Sequence, residues 1–152
     1  MIEGVKIKKL KPIYDERGFL MEILRADDPI FDKFGQVYIT AVNPGFVKAW
    51  HCHKLQTDNF TCVSGKVRVG LFDARVDSKT HGEVTEFILG IDEPMLIQIP
   101  SMVYHGFENI TDEIGIIVNT PTETYNYKAP DELRLPFDTK KIPFKWDAKK
   151  GG

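Results

Sequence analysis

The chain has 152 residues, 42% hydrophobic and 28% charged, a length and balance that suit one globular domain over residues 1–152 with a single core. Its formal charge of −2 and the scatter of Lys and Arg along it exclude the concentrated cationic surface that nucleic-acid binding requires. No apolar run approaches the roughly 20 residues that cross a bilayer, and Met1 to Lys11 lacks the apolar stretch of a secretory signal, so a cytoplasmic chain without a membrane partner is expected.

In chain order, the first patterned segment is Asp28-Pro29-Ile30-Phe31-Asp32-Lys33-Phe34. A capping acid, a proline at the first helical position and apolar Ile30, Phe31 and Phe34 predict one short helix of about two turns. From Val37 onward the period changes to two. Lys66–Leu71 alternates polar and apolar, and Val37–Thr40, Phe60–Val63, Phe87–Leu89 and Ile114–Val118 are β-branched or aromatic runs set off by Gly, Pro, Asn or Asp, which reads as short strands of a sandwich or barrel. Closure of such a sheet removes exposed strand edges. Tyr125 to Gly152, with Pro130, Pro136 and Pro143, reads as an extended strap that Trp146 pins down.

The chemistry concentrates in Gly45-x5-His51-x-His53-x4-Asp58-x6-Gly65 and Pro100-x4-His105-x3-Asn109, which together hold three of the four histidines. Residues i and i+2 of a strand share a face, so His51 and His53 point into the barrel together. Asp58 opens the next strand and His105 enters from a third. Several ionisable groups in one apolar pocket are costly unless they are used. Trp50 precedes His51 and by alternation faces the other way, into a core or an interface. His81 lies in a polar turn, and Cys52 and Cys62 lack any metal or redox spacing and are assigned no chemistry.

The two-part histidine pattern resembles the cupin motifs, with Asp58 where Glu is usual and Met102 where Gly is preferred. That resemblance implies an all-β jelly-roll barrel, a double-stranded β-helix. Across nearly the whole chain the sequence also resembles the dTDP-4-dehydrorhamnose 3,5-epimerase family, in Asp15-Glu16-Arg17-Gly18-Phe19-Leu20, Lys48-Ala49-Trp50-His51, Val63-Ser64-Gly65-Lys66-Val67 and Ile99 to Phe107. The resemblance implies a cofactor-free isomerase, a homodimer, acting on a nucleoside-diphosphate 4-keto-6-deoxy sugar. It makes His51 the general base, Tyr127 or Tyr125 the proton donor across the sugar, and His105 a hydrogen-bonding group for the ketone. Arg17 and Lys48 would contact the diphosphate, with His53, Lys54 and Asp58 also against the substrate.

Two of that family's features are displaced here. Asp58 stands where the family has an enolate-stabilising lysine, leaving Lys54 as the substitute, and Asp147 is the candidate for the carboxylate that orients the base. Three further readings stay open: a dTDP-sugar 3,4-ketoisomerase, resembled through His51-x-His53; a metal-binding cupin with His51, His53, Asp58 and His105 as ligands; and a non-catalytic sugar-binding cupin.

Overall fold

The structure is a computed structural model describing all of residues 1–152. Its strands are β1 (Lys6–Lys9), β2 (Ile13–Asp15), β3 (Gly18–Leu20), β4 (Tyr38–Val42), β5 (Phe46–Cys52), β6 (Asp58–Ser64), β7 (Lys66–Asp73), β8 (Val84–Gly90), β9 (Met95–Ile99), β10 (Val103–Asn109), β11 (Gly115–Asn119), β12 (Leu133–Arg134) and β13 (Lys150–Gly151). The runs read as strands from their alternation all fall within β4, β6, β7, β8 and β11 or begin one residue before them. Two sheets form the barrel, ordered β1-β9-β6-β11-β4 and β12-β5-β10-β7-β8, while β2 and β3 make a separate hairpin. Every pairing is antiparallel except β13 on β5. This is the all-β jelly-roll that the histidine pattern implies.

The main core lies between the sheets, with Val67, Val69 and Leu71 of β7 and Ile97, Ile99 and Ile117 fully or almost fully buried. A second core forms on the outside of β5, where Trp50 packs edge-on to Phe144 and against Trp146, 4.8 Å between ring centroids for the latter pair. Burying one such indole removes enough apolar surface to contribute up to roughly 5 kcal/mol before entropy is counted. Strand alternation thus sends Trp50 to the tail and His51 to the barrel interior. The strap is held again by β12 and β13, which pair with β5 at Cys52 and His51 and at Phe46 and Val47.

The expected helix at Asp28–Phe34 is absent, and the segment forms turns. Asp28 does not cap a following turn: its carboxylate accepts from Lys8 Nζ at 2.5 Å and from the backbone N–H of Arg25 at 2.8 Å, pulling it backward. Ile30 is buried beside Leu10 and Leu96, whereas Phe34 is 63% exposed. Without a continuous apolar face to bury, two turns of helix have little to stabilise them.

Two backbone details position the histidines. At Gly106 a Cβ would fall inside Ala49, so only glycine lets β10 approach β5 across the bulge that follows the His105–His51 pair. Met102, at the position where the cupin pattern prefers glycine, adopts φ +62°, a left-handed conformation that costs a side-chain-bearing residue of order 1 kcal/mol. Its N–H donates to the His53 carbonyl at 2.7 Å, tying the turn before β10 to the end of β5.

Candidate active site

A cavity of about 760 Å³ opens at one end of the barrel, walled by β4, β5, β6 and β10 and by residues 123–134 of the tail. His51, His53, His105, Lys48, Tyr125 and Tyr127 all line it. The sequence thus brings together its three patterned histidines and both candidate proton donors. Asp58 lies behind the wall at 1% exposure.

His51 Nδ1 is 2.8 Å from Glu132 Oε1. That carboxylate fixes the tautomer with the proton on Nδ1 and leaves the Nε2 lone pair free. Burial outweighs the pull of Glu132 and holds the His51 pKa below its ordinary value, so the ring is neutral and basic near pH 7. Burial opposes ionisation of Glu132 as well, but hydrogen bonds from Arg134 and His51 more than compensate and keep it a carboxylate.

The acid that meets His51 is therefore Glu132, not Asp147. Asp147 is 82% exposed beside Arg68, 3.7 Å away, outside the cavity. Lys54 also lies outside the cavity lining, contributing its backbone N–H to the Asp131 carboxylate. Asp131 organises the loop after β5: it accepts the N–H groups of Lys54, Leu55 and Gln56 at 2.9, 2.9 and 3.2 Å, while its carbonyl accepts from His53 Nδ1. Glu132 and Asp131 were the residues that sequence reasoning missed. The run Asp131-Glu132-x-Arg134 after Pro130 was the available signal, two acids and a base closing the polar part of the strap.

His105 is 4% exposed, and its Nδ1 donates to the Val103 carbonyl at 3.1 Å. Burial holds it well below the ordinary histidine pKa, so its Nε2 is a lone pair with no proton to give a ketone. His53 Nε2 and His105 Nε2 both face Asp58 Oδ2, at 3.6 and 3.4 Å. The other oxygen, Oδ1, accepts from Gln56 Nε2 and Asn119 Nδ2, each at 2.7 Å. His51 stands apart from this cluster, its ring centroid 6.3 Å from that of His105, so the three clustered residues and not all four of the expected set face one point.

Tyr125 and Tyr127 stack edge-to-face on the tail loop, 4.9 Å between centroids. Lys48 donates to Thr40 Oγ1 at 3.2 Å and lines the cavity. Arg17 does not reach this cavity: it sits at the tip of the β2–β3 hairpin, 83% exposed and paired with Asp15. Cys52 and Cys62 are buried and unbridged, and burial pushes the Cys52 thiol up to about 11, which keeps it unreactive.

Known proteins similar to this chain match it over nearly its whole length. The family described as dTDP-4-dehydrorhamnose 3,5-epimerase matches residues 1–151. The chain is 41% identical over 147 residues to the spore coat polysaccharide biosynthesis protein SpsL of Bacillus subtilis strain 168, covering 97% of each chain. It is 39% identical over 154 residues to a probable low-salt glycan biosynthesis epimerase, Agl13, of Haloferax volcanii, covering 97% of this chain and 96% of the other. Among solved structures, a dTDP sugar isomerase from Desulfovibrio desulfuricans G20 superposes with a TM-score of 0.91 at 34% identity, over 95% of this chain and 92% of that one.

Proposed function

The chain belongs to the dTDP-4-dehydrorhamnose 3,5-epimerase family, the epimerases of 4-keto-6-deoxy nucleotide sugars; from that premise we propose that His51, oriented by Glu132, is the base that begins the reaction. The observation that carries this reading is the 2.8 Å His51–Glu132 contact, which turns a neutral imidazole so that Nε2 is free.

His51 Nε2 takes the proton from a carbon beside the ketone. The C–H electron pair becomes a C=C bond, and the carbonyl pair moves onto oxygen. A tyrosine hydroxyl of Tyr125 or Tyr127 then returns a proton from the other side, and that carbon inverts. A phenol hydroxyl held across the sugar suits the donation of a proton to an enolate carbon. Lys48 and Arg134, both on the cavity wall, suit the diphosphate, a guanidinium matching its oxygens in pairs. The geometry does not favour a proton-shuttling role for His53, because its Nδ1 is engaged by the Asp131 carbonyl and its Nε2 faces Asp58. The ketoisomerase reading therefore has less support.

The reading extends to a homodimer. The hairpin exposes Ile13, Tyr14, Phe19 and Leu20, and the edge strand β4 exposes Ile39. A second copy covering these residues would also bring Arg17 from one subunit toward a neighbour's cavity. The reaction would run in the cytoplasm, where two unbridged thiols are at home, and would feed polysaccharide synthesis of the kind named for the relatives.

The test is solvent deuterium incorporation into dTDP-4-keto-6-deoxyglucose followed by NMR. Exchange beside the ketone is expected from the intact protein and lost with His51→Asn; an intact protein that binds the nucleotide sugar without any exchange would make it a binding module instead.

A further inference from the structure

When His51 takes a proton beside the ketone, the carbonyl pair moves onto oxygen, and that oxygen needs a hydrogen-bond donor aimed at it. His105 is buried, neutral and has already given its one proton to the Val103 carbonyl. Lys54 lies outside the cavity lining, and Lys48 and Arg134 suit the diphosphate. A further donor stands on the opposite wall. Tyr38 is the first residue of β4, in the sheet that faces the one carrying His51 on β5, and it lines the same cavity.

The hydrogen bonds around Tyr38 decide where its proton goes. Its strand partner in β11 is Asn119, whose Oδ1 accepts the backbone N–H of Asn59 at 2.9 Å. A backbone N–H can only donate, so this contact fixes which end of the Asn119 amide is oxygen. The nitrogen end then spends one hydrogen on Asp58 Oδ1 at 2.7 Å and the other on Tyr38 Oη at 2.8 Å. An amide nitrogen of this kind does not accept. Tyr38 is therefore the acceptor at that contact, and its own hydroxyl proton remains for whatever occupies the cavity.

The setting also keeps that proton in place. Asn119 and Asp58 are buried and anchor the hydroxyl, while the Tyr38 side chain is exposed on the cavity side. Burial around the hydroxyl, and after it the charge of Asp58, push the phenol up to about 12, so it stays a donor throughout the range in which His51 is a neutral base. A lysine beside Asp58 would be drawn to the carboxylate, whereas a phenol held by an amide keeps its donor free.

We propose that Tyr38 is a further catalytic residue, whose hydroxyl, fixed by Asn119, donates to the ketone oxygen of the sugar and stabilises the enolate that His51 generates; this rests on the epimerase reading. The proton stays on Tyr38 throughout. No bond to it forms or breaks, and the hydrogen bond strengthens as negative charge arrives on the oxygen.

Tyr38→Phe removes the hydroxyl and keeps the ring. With dTDP-4-keto-6-deoxyglucose at saturation, deuterium exchange beside the ketone and inversion of that carbon are followed together by NMR. Both should fall by about 10²–10³-fold in kcat, with little change in KM. Calorimetry should give the variant the wild-type affinity for dTDP, which lacks the ketone, and a thermal melt with circular dichroism verifies the fold. Exchange at the wild-type rate in the folded variant overturns the role. So does exchange that continues while inversion is lost, which would make Tyr38 the proton donor to carbon, and so does weakened dTDP binding with kcat unchanged, which would place Tyr38 on the nucleotide. Wild-type protein that binds dTDP yet exchanges no deuterium fails at the epimerase reading itself and takes this role with it.

Discussion

Two aspartates are buried at the ends of strands, and they are held in opposite ways. Asp73, at the end of β7 and 0% exposed, has donors on both oxygens: the Arg75 backbone N–H and Nε on Oδ1, and Arg75 Nη2, Ser78 Oγ and Thr80 Oγ1 on Oδ2, all within 3.1 Å. Asp58, at the start of β6 and 1% exposed, accepts side-chain amides only on Oδ1, and its Oδ2 faces the Nε2 atoms of His53 and His105 at 3.6 and 3.4 Å. A buried carboxylate whose hydrogen bonds are complete anchors a loop. One bonded through a single oxygen leaves the other turned toward the histidines of a cavity.

The widest separation between the two regions should appear in what each loses on substitution. His51→Asn, on the cavity side, should lower deuterium exchange by about 10²–10⁴-fold with little change in melting temperature; NMR exchange rates and a thermal melt read both. Asp73→Asn should do the reverse, lowering stability by about 2–4 kcal/mol, because an amide NH₂ is set against the donors of Arg75, Ser78 and Thr80. Urea denaturation measures that loss, with exchange unaltered at 25 °C.

Asp58→Asn sharpens the contrast further. Its oxygen can still accept from Gln56 and Asn119, and its new NH₂ can donate to a histidine Nε2, so stability should stay within about 1 kcal/mol of the parent or rise. A loss equal to that of Asp73→Asn would break the comparison. The smallest effect is in acid. Burial opposes the Asp73 charge, but the bonds from Arg75, Ser78 and Thr80 hold its pKa far below the ordinary carboxylate value. Its contribution is thus complete above the unfolded pKa of about 3.9 and declines as pH falls from there toward the folded value. Asp73→Asn should flatten that acid limb in melts taken from pH 5 to pH 2.

Much of the barrel was legible because its strands are half-buried and alternate. Lys66 to Leu71 reads directly as β7, and the i, i+2 rule correctly placed His51 and His53 on the cavity side and Trp50 on the other. Asp28–Phe34 misled because each local signal for a helix was present, yet Lys8, twenty residues away, claims the capping acid. Glu132 was illegible for a related reason: it meets His51 across 81 positions, and a strap with prolines and little periodicity carries no register. The resemblance directed attention to Asp147, which Arg68 holds at the surface. Local pattern shows which face a side chain takes, but long-range pairing decides which partner it finds.

The pairing of β12 with β5 also bears on the order in which the protein comes to life. Every residue of the main core lies at or before Ile117, but Glu132, both cavity tyrosines of the tail and the Asp131 loop clamp follow it in the chain. A nascent polypeptide can therefore gather its main core before the tail that walls the cavity has been made.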